Sequence, residues 1–364
     1  MILAFIVYIS LIFVMELPVQ KITFSGHPLA WEHRYFVKKI VFWLPLLIAA
    51  FILGLRDGVG VDFNVYRAIY LNLDFGDIPE VGFQFGYRIF HYLHLSFNDF
   101  LIFVNVLSFY ALYRGMSDYP AKTWIILFLF LTGQVFLFLN IIRQGIAFFI
   151  LLWSVNEYLK RRFWCYLLLV LFACSFHFSA LLFLVVPLLK RCRVLLDYHW
   201  IVVAVIMIFF LLGNLIFSYL LNGIMEIMNY THYGRYGSLL TNWSMTEGSG
   251  MGGAIKFLSA MLVFLFLPGF RTFYKNRFDV VIMIYLVGTL FTLIFGNSLL
   301  LSRVSFLFIS FQFVVFGLFV KYLLSTGKLA MTIIAALFLI TYSSYFIGMI
   351  LLNNNDCSPY HFCF

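Results

Sequence analysis

The chain has 364 residues, of which 64% are hydrophobic and only 11% charged, with 47 Phe, 22 Tyr, 7 Trp and a mean hydropathy of +1.00. Soluble domains carry about 45–50% apolar and about 25% charged residues, so a soluble enzyme, a disordered tail and a repeat solenoid are excluded. The net charge of +9 is not a nucleic-acid footprint, because the 24 Lys and Arg lie in short clusters between apolar runs.

In chain order the apolar runs are 1–15, 40–55, 99–113, 123–139, 144–159, 163–176, 178–189, 199–221, 254–269, 280–296, 303–321 and 329–351. They predict an all-α, polytopic integral membrane protein of about twelve segments, folded as one unit over 1–364. Several runs are short for a ~30 Å crossing, so tilted or broken helices are expected. The run Ile2–Met15 has no basic n-region and no small-residue exit, and reads as a first span, not a cleaved signal peptide.

Loop charge sets the expected orientation. The loops containing Lys21/Arg34/Lys38/Lys39, Arg114/Lys122, Lys160/Arg161/Arg162, Lys190/Arg191/Arg193, Arg271/Lys275/Arg277 and Lys321/Lys328 hold 17 of the 24 cations. Assigning them to the cytoplasm places both termini outside. Residues 163–189 lie between two such clusters, so they are expected to enter and return as a short-armed helical hairpin turning at Ser175–Ser179. Each arm spans about 18 Å at 1.5 Å per residue.

The exterior is then a loop at 56–98, a tight turn at 140–143, a loop at 222–253, a short turn at 296–303 and the tail 352–364. Phe83, Tyr87, Phe90 and Phe97 recur at helical spacing. They fit either an interfacial helix over 82–97 or a plain extension of the following span. Cys165, Cys174 and Cys192 read as small apolar residues, while the C-x5-C spacing of Cys357 and Cys363 allows a disulfide in an oxidising compartment. No zinc spacing, P-loop or dinucleotide glycine pattern occurs, and no metal or cofactor is expected.

Seven cations remain outside: Arg56, Arg67, Arg88, Arg143, Arg235, Lys256 and Arg303. Topology gives no reason for six of the seven to be Arg. The guanidinium is a planar fork suited to phosphate oxygens, and it stays charged in a low dielectric. Arg56, Arg143 and Arg303 stand at span ends, where cations mark an anionic ligand, although snorkelling or pairing with Asp57, Asp62, Asp74, Asp77 or Glu80 would also place them there. His177, between Phe176 and Phe178, fits either a hydrogen-bonded packing residue or a group that titrates near neutral pH at a functional turn.

These residues match a family pattern. Gly54-Leu55-Arg56 followed by Gly60, Asp62 and Tyr66 resembles the opening external loop of EpsG-like, Wzy-type polysaccharide polymerases. Glu80 with Gly82-Phe83 resembles its next element, and Asn140-Ile141-Ile142-Arg143-Gln144-Gly145-Ile146-Ala147 its Arg-Gln helix start. Ala173 with Phe176-His177-Phe178-Ser179-Ala180-Leu181 resembles its Phe-His hairpin, and Ser302-Arg303 its last motif. The likeness covers residues 54–306 in matching order.

The resemblance implies a GT-C-like membrane glycosyltransferase, an O-antigen or exopolysaccharide polymerase of a bacterial plasma membrane with its active site facing outward. Its substrates would be undecaprenyl-diphosphate-linked repeat units, and its partners membrane lipid, a flippase and a chain-length regulator. In that reading Arg56, Arg143 and Arg303 hold the diphosphate without a metal, and Gln144, Glu80 and Tyr66 contact substrate. Tyr233 and Arg235, in a loop rich in Tyr, stack on sugars or anchor the interface. His177 and Asp62 are the candidate general bases. Two rivals share much of this pattern: another polyprenyl-linked glycosyltransferase or O-antigen ligase, and a lipid-linked oligosaccharide transporter. A transporter calls for midplane charges and paired, repeat-related broken helices, and no convincing internal repeat is found.

Overall fold

A computed structural model describes residues 1–16, 31–76, 78–119, 123–229, 251–296 and 299–364. Among them there is no strand, only an isolated antiparallel bridge between Arg56 and Phe362. The chain divides into two compact units: 1–184 with 342–364, and 185–341.

The first unit contains α1 (Ile2–Glu16), α2 (Trp31–Gly54), α3 (Phe63–Asn72), α4 (Val81–Tyr92), α5 (Phe97–Met116), α6 (Thr123–Gly133), α7 (Val135–Asn140), α8 (Ile142–Leu159) and α9 (Phe163–Cys174). Its core is the packing of α2 on α5, α5 on α8 and α8 on α9. Most of α8 is buried, including Ile146, Phe148, Ile150 and Leu152, as expected of a helix that is apolar on nearly every side. The run 123–159 is divided at Gln134 and Ile141, which leave helical geometry. Phe130 and Phe149, placed about symmetrically around that second break, meet at 5.6 Å, so the chain turns back on itself there. This is the tight turn expected at 140–143.

The hairpin is also present. Helix α9 ends at Cys174, the chain turns through Ser175–His177, and the Tyr166 hydroxyl donates to the Phe183 carbonyl across the two arms. The return arm does not stop at Lys190–Arg193. Helical conformation runs on from Phe178 to Leu220, alternating 3-10 and α geometry, through α10 (Val186–Arg191) into α11 (His199–Asn229).

Between 82 and 97 the structure decides between two expectations. Helix α4 ends at Tyr92, His94 takes a positive φ of 55°, and α5 starts afresh at Phe97. The break is set by a reciprocal cap: the Ser96 hydroxyl accepts from the Asp99 amide while the Asp99 carboxylate accepts from the Ser96 amide. Phe83, Tyr87 and Phe90 then fold onto Phe100. The segment is a separate helix, not an extension of the span.

The second unit contains α12 (Met251–Leu265), α13 (Leu267–Phe273), α14 (Asp279–Phe295), α15 (Leu299–Ile309) and α16 (Gln312–Ser325), together with most of α17 (Leu329–Leu351). Here α14 packs on α15 and α11, and Arg271 is held by Asp279 at 2.8 Å and Asp197 at 2.7 Å.

Among the described residues, three helical stretches, Phe178–Leu220, Leu301–Ser325 and Leu329–Leu351, are long and apolar enough to cross a membrane. A fourth is added if Gly252–Leu265 and Leu267–Phe273, bent by 65°, form one span. Among the described residues the twelve expected spans are not all found at that length; Ile2–Val14 and Phe163–Cys174, for example, are shorter apolar helices.

The tail 353–364, which carries no sequence motif, is woven into the first unit. Tyr8 donates to the Cys357 carbonyl and Tyr360 to the Ile52 carbonyl, and Gly60 N–H donates to the Asp356 carbonyl. Asp57 N–H donates to His361 and Cys363 N–H to Leu55, flanking the bridge at Arg56. Cys357 and Cys363 are both free thiols: Cys357 is buried with its Sγ 3.5 Å from the Met349 carbonyl, while Cys363 is exposed, one residue past the Arg56–Phe362 bridge.

Candidate active site

The site is built at the start of α8. Asn140 ends α7, Ile141 breaks the helix, and Arg143 emerges in the first turn of α8. Gly60 packs against that turn with a φ of +103°; a Cβ there would lie 2.7 Å from the Asn140 Oδ1. Only glycine suits both the backbone conformation and the approach. From Gly60 the chain enters α3, whose Phe63, Tyr66 and Tyr70 form its buried face.

Two elements meet beside Arg143. Pro79 and the extended backbone of Glu80 precede α4, whose first amides need partners. The Ser175 carbonyl, at the hairpin turn, accepts from Gly82 N–H at 2.8 Å and Phe83 N–H at 3.3 Å. The fit is close enough that a Cβ on Gly82 would lie 2.4 Å from the Ser175 hydroxyl. Docking the start of α4 on this turn sets Glu80 next to His177.

Glu80 joins the start of α8 to the hairpin turn. Its Oε2 accepts from Arg143 Nη1 at 2.6 Å, and its Oε1 accepts from His177 Nδ1 at 3.1 Å. The Arg143 Nε donates to the Tyr66 hydroxyl at 3.5 Å, Arg143 lies over the Phe83 ring, and Tyr87 supports Tyr66 through its carbonyl. The carboxylate side chain is 4% exposed, whereas those of Arg143 and His177 are 20% and 21% exposed. A buried acid therefore sits beneath a base and a guanidinium that both reach the surface of the unit.

Burial alone would raise the Glu80 carboxyl, but the His177 hydrogen bond and the Arg143 charge outweigh it and hold the group below its ordinary value. An ionised carboxylate only accepts hydrogen bonds, so His177 Nδ1 carries the proton facing it. The Nε2 lone pair is then turned away from Glu80, available to accept a proton.

The other expected residues are placed differently. Arg56 is 2% exposed and donates to the Leu53 carbonyl at 2.8 Å and the Leu139 carbonyl at 3.1 Å. Asp62 precedes α3, where its side chain makes no capping hydrogen bond. Gln144 is buried in α8. Arg303 is exposed on α15 of the second unit. Tyr233 and Arg235 lie outside the described residues. Arg67 pairs with Asp57 at 3.0 Å on the surface, the local neutralisation that was the alternative to ligand binding. Among the described residues, no group of three His, Cys, Asp or Glu is arranged to hold a metal ion.

The Gly54–Arg56, Glu80–Phe83, Asn140–Ala147 and Ala173–Leu181 segments thus converge in one unit. The sequence pattern of the EpsG family matches residues 39–362, nearly the whole chain. The chain belongs to the EpsG family. No curated protein and no solved structure matches it. Family membership agrees with a membrane protein of polysaccharide synthesis, built on polymerase-like glycosyltransferase chemistry.

Two contributors escaped the sequence reading. The Ser175 carbonyl is a backbone group, whose role depends on what packs against it. The tail partners Asp356 and Phe362 hold the Arg56–Gly60 segment from more than 290 residues away.

Proposed function

We propose that the protein is a polysaccharide polymerase of the bacterial plasma membrane, joining undecaprenyl-diphosphate-linked repeat units on the outer face. The observation that carries this reading is the Arg143–Glu80–His177 cluster, in which a guanidinium and an imidazole share one buried carboxylate. A glycosyl transfer from a lipid diphosphate needs those two groups: a base for the attacking hydroxyl and a positive charge for the leaving diphosphate.

In the proposed step, His177 Nε2 takes the proton of an acceptor sugar hydroxyl. The oxygen forms a bond to the anomeric carbon of the donor glycan, and the bond from that carbon to the diphosphate oxygen breaks. The electron pair leaves with the lipid diphosphate, whose added charge faces Arg143. Glu80 touches neither substrate in this scheme; it selects the His177 tautomer and stabilises the imidazolium, and so acts as a positioning residue. Arg56, walled in by carbonyls, has a different task from the diphosphate contact its motif suggests. An external face for this cluster agrees with the loop charges, which place the chain between 56 and 98 and the turns at 140–143 and 175–177 opposite the basic loops.

The experiment is deletion in the parent strain followed by electrophoresis of surface polysaccharide. A lost ladder with a single capped repeat remaining is the polymerase outcome. Loss of every unit points instead to a ligase or a transporter.

A further inference from the structure

A second polar site lies inside the same unit, built from side chains other than those of the Glu80 cluster. A cavity of about 30 Å³ is lined by Arg56, Asn105 and Ser108 and walled by apolar side chains including Leu53, Phe130 and Phe149. Among the described residues Arg56 makes no ion pair, and the ionisable side chains that influence it are the phenols of Tyr8 and Tyr360. The carbonyl end of α2 offsets part of its charge, about half a unit at most. A buried guanidinium left with the remainder is costly unless an anion stands beside it.

Among the described residues that line it, the buried side-chain groups without a partner, Arg56 Nε and Asn105 Nδ2, are both donors. A water placed between them would accept twice and could pass a proton to the Ser108 hydroxyl, but it would leave the Arg56 charge uncompensated. An anion accepts from both and adds the missing charge, and the Ser108 hydroxyl can turn its proton the same way. The volume exceeds the roughly 10–15 Å³ that one water requires, yet it leaves no room for a phosphate group bearing a lipid.

We infer that this cavity binds a small monovalent anion of the halide class, which neutralises Arg56 and ties α2 and α5 together below the Arg56–Phe362 bridge. The inference is independent of the polymerase reading, since it concerns the folding of the first unit and not chain extension.

The test is thermal unfolding of the purified full-length protein in detergent, in sodium chloride against sodium gluconate at matched ionic strength. Chloride should raise Tm in a saturable way, by about 2–4 °C, and bromide should replace it. Asn105→Asp supplies an internal carboxylate, so that variant should keep a high Tm in gluconate and lose the chloride response. Asn105→Leu removes one donor and should shift half-saturation to roughly tenfold more chloride, a single charge-assisted hydrogen bond of ~1.4 kcal/mol. A wild-type Tm that is the same in chloride and gluconate overturns the inference and leaves water as the occupant. An undiminished chloride response in both Asn105 variants also overturns it, by placing the anion elsewhere.

Discussion

The two ends of α8 carry two ion clusters made from similar residues. They lie about 21 Å apart along the helix, at 1.5 Å for each of the residues between Arg143 and Glu157. At the far end, Glu157 is 4% exposed like Glu80, and pairs with Lys160 and Arg162 at 3.2 Å each. These partners follow within five residues, and Lys160 reaches on to Asp118 at 2.7 Å. At the near end, Glu80 gathers partners 63 and 97 residues away. The difference is instructive. Pairs between a helix end and its own loop fasten that loop, with the Arg162 cation 62% exposed and Lys160 held across to Asp118. Pairs drawn from three separate segments exist only when those segments are packed, and they leave a base and a guanidinium with fixed orientation. The first arrangement suits the fastening of a loop, and the second suits the glycosyl transfer proposed above.

The sharpest way to break this comparison is to remove the base. His177→Gln should remain in the membrane and fold, yet extend chains 10²–10⁴-fold more slowly. Purified protein assayed with lipid-linked repeat units across pH decides this, with Asp62→Asn alongside. An unchanged rate in His177→Gln, together with a collapse in Asp62→Asn, would transfer the role to the carboxylate before α3.

The guanidinium comes next. Arg143→Lys keeps the charge but loses the two-sided geometry toward Glu80 and Tyr66, and should lose most chain extension with unchanged membrane yield. Full activity of the Lys variant would reduce Arg143 to a positive charge needed for packing. The same substitution at Arg303 tests the second unit separately.

Glu80→Gln should lower both activity and stability, the latter by about 3 kcal/mol, because Arg143 is left half-buried without its carboxylate. Its pH signature follows from sign. A carboxyl held low in the folded state contributes stability that is present above its unfolded value of ~4.3 and is lost as pH falls through the folded value. Wild-type Tm should therefore drop in that acid window, and Glu80→Gln should lack that part of the drop. Parallel curves for the two proteins would remove the carboxylate from the ion pair.

The smallest effect is expected at the other end of α8. Arg162→Met, whose cation is 62% exposed, should change stability by no more than about 0.5 kcal/mol and leave the polysaccharide ladder intact. A large loss of chain length in that variant would show that the Glu157 cluster is more than a fastening.

The tail offers an intermediate test of assembly at a distance. Tyr360→Phe removes the hydroxyl that donates to Ile52 at 2.7 Å and should cost about 1 kcal/mol in thermal unfolding.

Much of this was legible in the residues themselves. Composition settles that the chain is helical and apolar, because 64% hydrophobic residues with so few charges have no soluble solution. The hairpin was readable from two basic clusters on either side of 163–189, and the turn at 140–143 from polar residues between two apolar runs. The Ser96–Asp99 spacing announced a helix start that would have settled the 82–97 segment. Arg143, His177 and Glu80 could each be singled out by residue type and place. Their partnership could not, since no fixed spacing relates a carboxylate in one loop to an imidazole 97 positions on.

The tertiary structure alone decided which of several Arg, Asp and Glu residues met. It buried Arg56 among carbonyls, left Asp62 without a cap, and docked α4 on the Ser175 carbonyl so that Glu80 fell between Arg143 and His177. The physical reason is that hydropathy and helix periodicity act along the chain, whereas desolvation acts wherever packing brings groups together. A carboxylate closed off from water takes whatever donors the fold places beside it, and that choice is made in three dimensions.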